Sequence, residues 1–178
     1  MEKPPQRRTH AAGLSGELSY PAPSAQPPLA VNEAAAVYRC VAVYQAGPQE
    51  RIAAIRDGVP ARRVDALARL MHVSKDSLVA VLGLSRATQG RKARADTVLA
   101  PEESERVLGI EALIGQAQAM MQEAGDPSQF DAPRWMARWM HAPLPALGGR
   151  TPASYLDTVE GQKLVSRLLA MMQGGAYA

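Results

Sequence analysis

The chain has 178 residues, enough for one moderate domain or two small ones, and 47% of them are hydrophobic, enough to bury a real core. Aromatic residues make up only 4% while alanine is plentiful, a balance that argues against sheet and predicts an all-α protein. The net charge of +3 is unevenly spread, with ten Lys or Arg against five acids in residues 50–100 and one Arg against six acids in residues 101–126, so the basic middle calls for a polyanionic partner.

Residues 1–30 are proline-rich and lack a helical period, which predicts a flexible tail. From Val31 to Gln45 the chain admits a helix, but the valines and tyrosines at 37, 38, 41, 43 and 44 also admit a strand, and Gly47-Pro48 ends the element either way. The lone Cys40 beside valines reads as a small buried residue. It has no partner for an internal disulfide, and no secretory signal pattern opens the chain, so a cytoplasmic setting is expected.

Val64, Leu67, Ala68 and Met71 recur at i, i+3, i+4 and i+7, the apolar face of a helix. Ser74 then caps a helix through Leu78, Val79 and Leu82, with Asp76 in its first turn. Gly83 permits a left-handed turn, and Ser85 is poised to cap a further helix. Two short helices about a tight turn make a helix-turn-helix, whose second helix enters the major groove. Arg86, Thr88, Gln89, Arg91, Lys92 and Arg94 are the side chains that would reach phosphates or base edges. The competing reading is two ordinary helices joined by glycine. Four basic residues contact about four phosphates, so one copy would bind operator DNA weakly and a homodimer reading two half-sites is expected. Residues 78–84 form the longest apolar run, far short of the roughly twenty residues of a membrane-spanning helix.

Ala100-Pro101-Glu102-Glu103 is a helix start, with Glu102, Glu103 and Glu105 read as charges facing the positive end of its dipole. Val107, Ile110, Ile114, Ala117 and Met121 form a seam, which either dimerises or packs within one subunit. Gly109 and Gly115 predict a kink or break in this helix. Gly125-Asp126-Pro127 marks a boundary, giving parts at 31–125 and 126–178. In the second part, residues 131–140 read as a helix carrying Trp135, Met136, Trp139 and Met140, as core or as partner anchors. A proline-interrupted turn over 143–149 and a short element at Tyr155 and Leu156 follow. A final helix capped by Thr158 runs from Val159 to about Gln173, with Leu164, Val165, Leu168, Leu169 and Met172 on one side.

Catalytic patterns are missing: His10, His72 and His141 have no zinc-ligand spacing, and neither a phosphate-binding loop nor a nucleophile-base signature is present. Neither an enzyme nor a bound cofactor is expected.

The C-terminal motifs Trp139-Met140-His141-Ala142-Pro143, Ala146-Leu147-Gly148-Gly149-Arg150-Thr151-Pro152 and Leu156-Asp157-Thr158 with Gly161, followed by a helix ending in Gly174-Gly175-Ala176, resemble those of the Xre/MbcA/ParS antitoxin family. The Leu84-Ser85 turn and residues 103–106 are similar to that family's DNA-binding half. The turn has Leu144-Pro145 where the family usually has Asn-Pro. The resemblance implies a helix-turn-helix portion followed by a small helical toxin-binding portion. It also implies a partner of the RES-domain type, an NAD-consuming toxin whose active site this protein would block while repressing its own operon. By the same likeness, Gly148, Gly149, Arg150 and Tyr155 lie near the docking surface; Lys163 and Arg167, on successive turns of the closing helix, either pair with toxin carboxylates or form an ordinary exposed face. Gly174, Gly175, Tyr177 and Ala178 would approach the NAD pocket. The alternative is a plain transcription regulator whose C-terminal part serves dimerisation only.

Overall fold

A computed structural model describes residues 28–85, 97–125 and 130–173, with residues 28–32 as helical backbone only. These residues form seven α-helices and two 3-10 turns. The sole extended pairing among them is an isolated antiparallel bridge between Pro60 and Val98.

Helix α1 (Pro28–Gln45) resolves the ambiguity of its sequence in favour of helix, and it opens inside the stretch expected to be tail. Ala36 and Cys40 are buried at a spacing of four, with Val37 and Val43 packed against the same core, a helical and not an alternating pattern. Helix α2 (Pro48–Asp57) has no counterpart in the sequence reading. Its start is nonetheless written in Pro48 at the first position and in Glu50, whose carboxylate accepts the Gly47 N–H at 2.9 Å. Because α2 buries none of its residues, it lacks the apolar face by which helices are recognised.

Helix α3 (Arg62–Met71) buries Val64, Leu67, Ala68 and Met71 as the periodicity predicts. It ends at His72, whose φ of 56° is left-handed. Helix α4 (Lys75–Val81) starts from Ser74, whose hydroxyl accepts the Ser77 N–H at 3.1 Å.

Helix α5 (Pro101–Glu123) runs unbroken through Gly109 and Gly115, so the expected kink does not occur. The glycines are there for close approach. A Cβ on Gly115 would lie 2.1 Å from the Cys40 carbonyl oxygen of α1, and one on Gly109 would lie 1.6 Å from Oε1 of Gln162. Val107, Ile110, Ile114 and Ala117 are at most 3% exposed within the single chain. Four of the five seam residues are therefore internal core, as the packing alternative has it, and Met121 is half-buried.

Glu111 occupies one of these buried positions, four residues after Val107 and three before Ile114. Arg63 grips it from α3, with Nε 2.8 Å from Oε1 and Nη2 2.8 Å from Oε2, and Arg39 of α1 stands 3.7 Å from Oε1. Burial pushes the Glu111 pKa up while the two guanidinium groups pull against it, so this carboxylate ties three helices together at one charged point.

Helix α6 (Ala132–Trp139) is capped by Asp131, which accepts the Arg134 N–H at 3.0 Å. Met136, Met140 and Trp139 are buried, and the Trp135 ring stacks on Trp139 at 5.4 Å between centroids, so this group is chiefly core. Two 3-10 turns (Pro145–Leu147 and Pro152–Tyr155) lead to helix α7 (Val159–Gln173). Val165, Leu168 and Leu169 of α7 are buried, but Leu164 is only half-buried and Met172 is 39% exposed, so the predicted apolar side is narrower than its sequence implies.

Candidate DNA and toxin interfaces

The described part of the helix-turn-helix is α4 and the turn after it. Leu78, Leu82 and Leu84 are buried, and Gly83 takes the left-handed φ of 59°. Arg86, Thr88, Gln89, Arg91, Lys92 and Arg94 lie outside the described residues.

The flanks of that basic stretch are described, and both are fixed. On one side the Ser85 N–H donates to Glu103 Oε1 at 3.4 Å, while Oε2 of the same carboxylate accepts the Ala100 N–H at 3.4 Å. On the other side, Leu99 N–H donates to the Val59 carbonyl at 2.8 Å and Ala61 N–H to the Thr97 carbonyl at 3.0 Å. Ser104 reinforces this junction by accepting the Val59 N–H at 2.9 Å. Glu103 thus does more than meet a helix dipole: it is a buried clamp joining the turn to the start of α5, which its place in the sequence signals only as a helix-start charge.

On the C-terminal side, Gly148, Gly149 and Arg150 are exposed in one tight loop, closed by the Leu144 N–H donating to the Arg150 carbonyl at 3.0 Å. Both glycines have positive φ, 63° and 82°, and a Cβ on either would meet nothing within 4 Å. The loop therefore needs glycine for its backbone and leaves open space above it. Tyr155 is half-buried, and its carbonyl is approached so closely by α7 that a Cβ on Gly161 would lie 1.8 Å from the oxygen.

Lys163 and Arg167 are exposed on α7, where Lys163 pairs with Glu160 at 2.7 Å and holds that carboxyl below its usual range through the hydrogen bond. Both cations line a cleft facing α2, which the loop glycines do not line. The predicted docking residues thus fall in two places, a glycine loop and a basic helix face. Gly174, Gly175, Tyr177 and Ala178 lie outside the described residues.

Polar contacts mount α7 on α5. Gln162 Nε2 donates to the carbonyls of Arg106 and Leu156, both at 3.0 Å. Ser166 and Gln116 exchange hydrogen bonds, the hydroxyl donating at 2.7 Å and the amide returning to the Ser166 carbonyl at 3.0 Å. Among the described residues no group of three or more His, Cys, Asp or Glu could hold a metal ion, and no helix is long and apolar enough to cross a membrane.

A helix and turn in the helix-turn-helix region and a helical C-terminal unit mounted on α5 accord with the antitoxin of a toxin-antitoxin system, the class that the matched domains and a relative show. The antitoxin Xre/MbcA/ParS C-terminal toxin-binding domain matches residues 128–175, and the antitoxin Xre-like helix-turn-helix domain matches residues 50–110. A relative from Sphingobium sp. (strain YBL2), described as a Prs ADP-ribosylating antitoxin, is 44% identical over 137 residues, covering 77% of this chain and 86% of the relative. The chain belongs to the Xre/MbcA/ParS antitoxin family.

Proposed function

We propose that this antitoxin neutralises a RES-type, NAD-consuming toxin by covering its active site, and that it binds operator DNA to repress its own operon. The observation that carries the first half is the loop at Gly148 and Gly149: it lies in the matched toxin-binding domain and has positive φ with nothing of its own chain within 4 Å of either Cβ position. An open backbone of this kind, in a conformation that glycine adopts without strain, suits close approach by another protein. The relative's description names ADP-ribosylation, a chemistry that takes its ADP-ribose from NAD, and this supports an NAD-consuming target.

In this reading Gly148, Gly149, Arg150, Tyr155, Lys163 and Arg167 dock the toxin, and Gly174, Gly175, Tyr177 and Ala178 close its nucleotide pocket. Arg86, Thr88, Gln89, Arg91, Lys92 and Arg94 contact the operator. Two copies read two half-sites, and because the α5 seam is internal core, they pair through another face. The protein works in the cytoplasm, where both operator and NAD are found.

Expressing the neighbouring toxin alone and then with this chain, while measuring cellular NAD, tests the proposal. NAD should fall with the toxin alone and hold at the uninduced level with both. An equal fall in both strains would defeat the inhibitory function and leave the plain regulator.

A further inference from the structure

A cleft of about 720 Å³ runs between α2 and α7, across the middle of α5. Its floor includes the buried Leu108 and Leu113. Its walls hold two large apolar side chains that remain well exposed, Tyr44 at 40% and Ile52 at 46%. Arg51 stands on the α2 side and Lys163 and Arg167 on the α7 side, against a single acid, Glu105. Glu160 engages Lys163 at 2.7 Å and also feels the charge of Arg167, so Arg51 and Arg167, on opposite walls, are the lining cations that no ion pair holds among the described residues.

We propose that this cleft is a second part of the toxin interface and that it receives an acidic segment of the toxin, with carboxylates between Arg51 and Arg167 and an apolar side chain against Tyr44 and Ile52. The inference rests on the reading that this chain captures a toxin. Two features select the occupant. With Lys163 engaged by Glu160, the lining keeps two cations, Arg51 and Arg167, against one anion, Glu105, which favours an acidic partner. The α7 wall lies inside the matched toxin-binding domain, so the cleft adjoins the part of the chain that bears that description.

The other wall is the new element. Arg51 and Ile52 belong to the matched helix-turn-helix domain, so the toxin would touch both halves of the antitoxin. This also gives α2 a purpose: a helix that fully buries none of its residues and sets only Ile55 against the core forms one side of a binding cleft.

The test measures binding of the purified toxin encoded beside this chain to the full-length wild type, to Arg51→Glu, to Arg51→Glu/Arg167→Glu and to Ile52→Ser. Helical circular dichroism verifies folding and solution mass follows self-association. The double charge reversal should weaken binding at least tenfold and flatten its salt dependence, and Ile52→Ser should weaken it severalfold at every salt concentration. All three variants should keep the wild-type solution mass. Toxin affinity equal to wild type in all three would overturn the cleft proposal while leaving toxin capture intact. A change in self-association with toxin affinity preserved would assign the cleft to a second copy and overturn it equally. Failure of the wild type to bind toxin would defeat the underlying function instead.

Discussion

Gly115 and Gly148 use the same residue type for opposite reasons. At Gly115 a Cβ would sit 2.1 Å from the backbone oxygen of Cys40, an atom that moves only if α1 moves. Gly115→Ala gains about 1 kcal/mol of helix propensity but overpacks a helix crossing, and should destabilise the fold by about 1–3 kcal/mol in urea unfolding. Gly148→Ala meets no atom and pays only for left-handed backbone, about 1–2 kcal/mol, with helix α5 undisturbed. Cys40 itself has its thiol pKa pushed up to about 12 from 9.0, first by burial and then by Glu111. Its folded value exceeds its unfolded one, so its contribution to stability is complete below pH 9.0 and is lost as pH rises through about 12. Unfolding measured at pH 8 and pH 11 should show a smaller alkaline loss for Cys40→Ala than for wild type, and equal losses would contradict the assignment.

At the scale of elements, the segment between Ser85 and Thr97 is held at both flanks, by Glu103 on one side and by the pairing of residues 97–99 with residues 59–61 on the other. For the proposed operator contact fixed flanks are an advantage, since less ordering of residues 85 and 97 is left to be done on binding DNA. Arg91→Ala/Lys92→Ala should weaken operator binding and reduce its salt slope by about two, with toxin capture intact; an unchanged binding curve would remove this segment from the groove. Elements with a strong apolar face were readable from the sequence: α3 and α4 appear with the buried residues that spacing predicts, and the Ser74 cap is where its residue type places it. Helix α2 was not readable, because a helix that buries nothing carries no periodic signal. The continuity of α5 was hidden for a different reason, since a helical glycine signals weakness locally and only the α1 and α7 crossings explain its use. Glu111 could have been found, because it falls in phase with Val107 and Ile114, where a charge demands buried partners.

Across the whole molecule α5 serves as the common spine. It packs on α1, α2, α6 and α7, and it meets both the helix-turn-helix side and the toxin-binding side through side-chain contacts. Arg106 of α5 donates to the Asp157 carbonyl at 3.3 Å, and a Cβ on the turn residue Gly83 would lie 3.2 Å from Asp157 Cβ, so the two functional parts touch directly. The family resemblance in the last fifty residues was legible because its motifs are local. The way those motifs are mounted was not, because Gln162, Gln116 and Ser166 act through contacts some fifty residues distant in sequence. A C-terminal unit mounted on the core in this manner supports the proposed steric blockade, which requires that the blocking lobe not yield. The measurement that tests this most directly is NAD turnover by the purified RES toxin during titration with the full-length chain, with complex formation followed in the same samples. Turnover should fall in proportion to complex formed and cease when every toxin is bound; a fully formed complex that still consumes NAD at the free toxin's rate would contradict it.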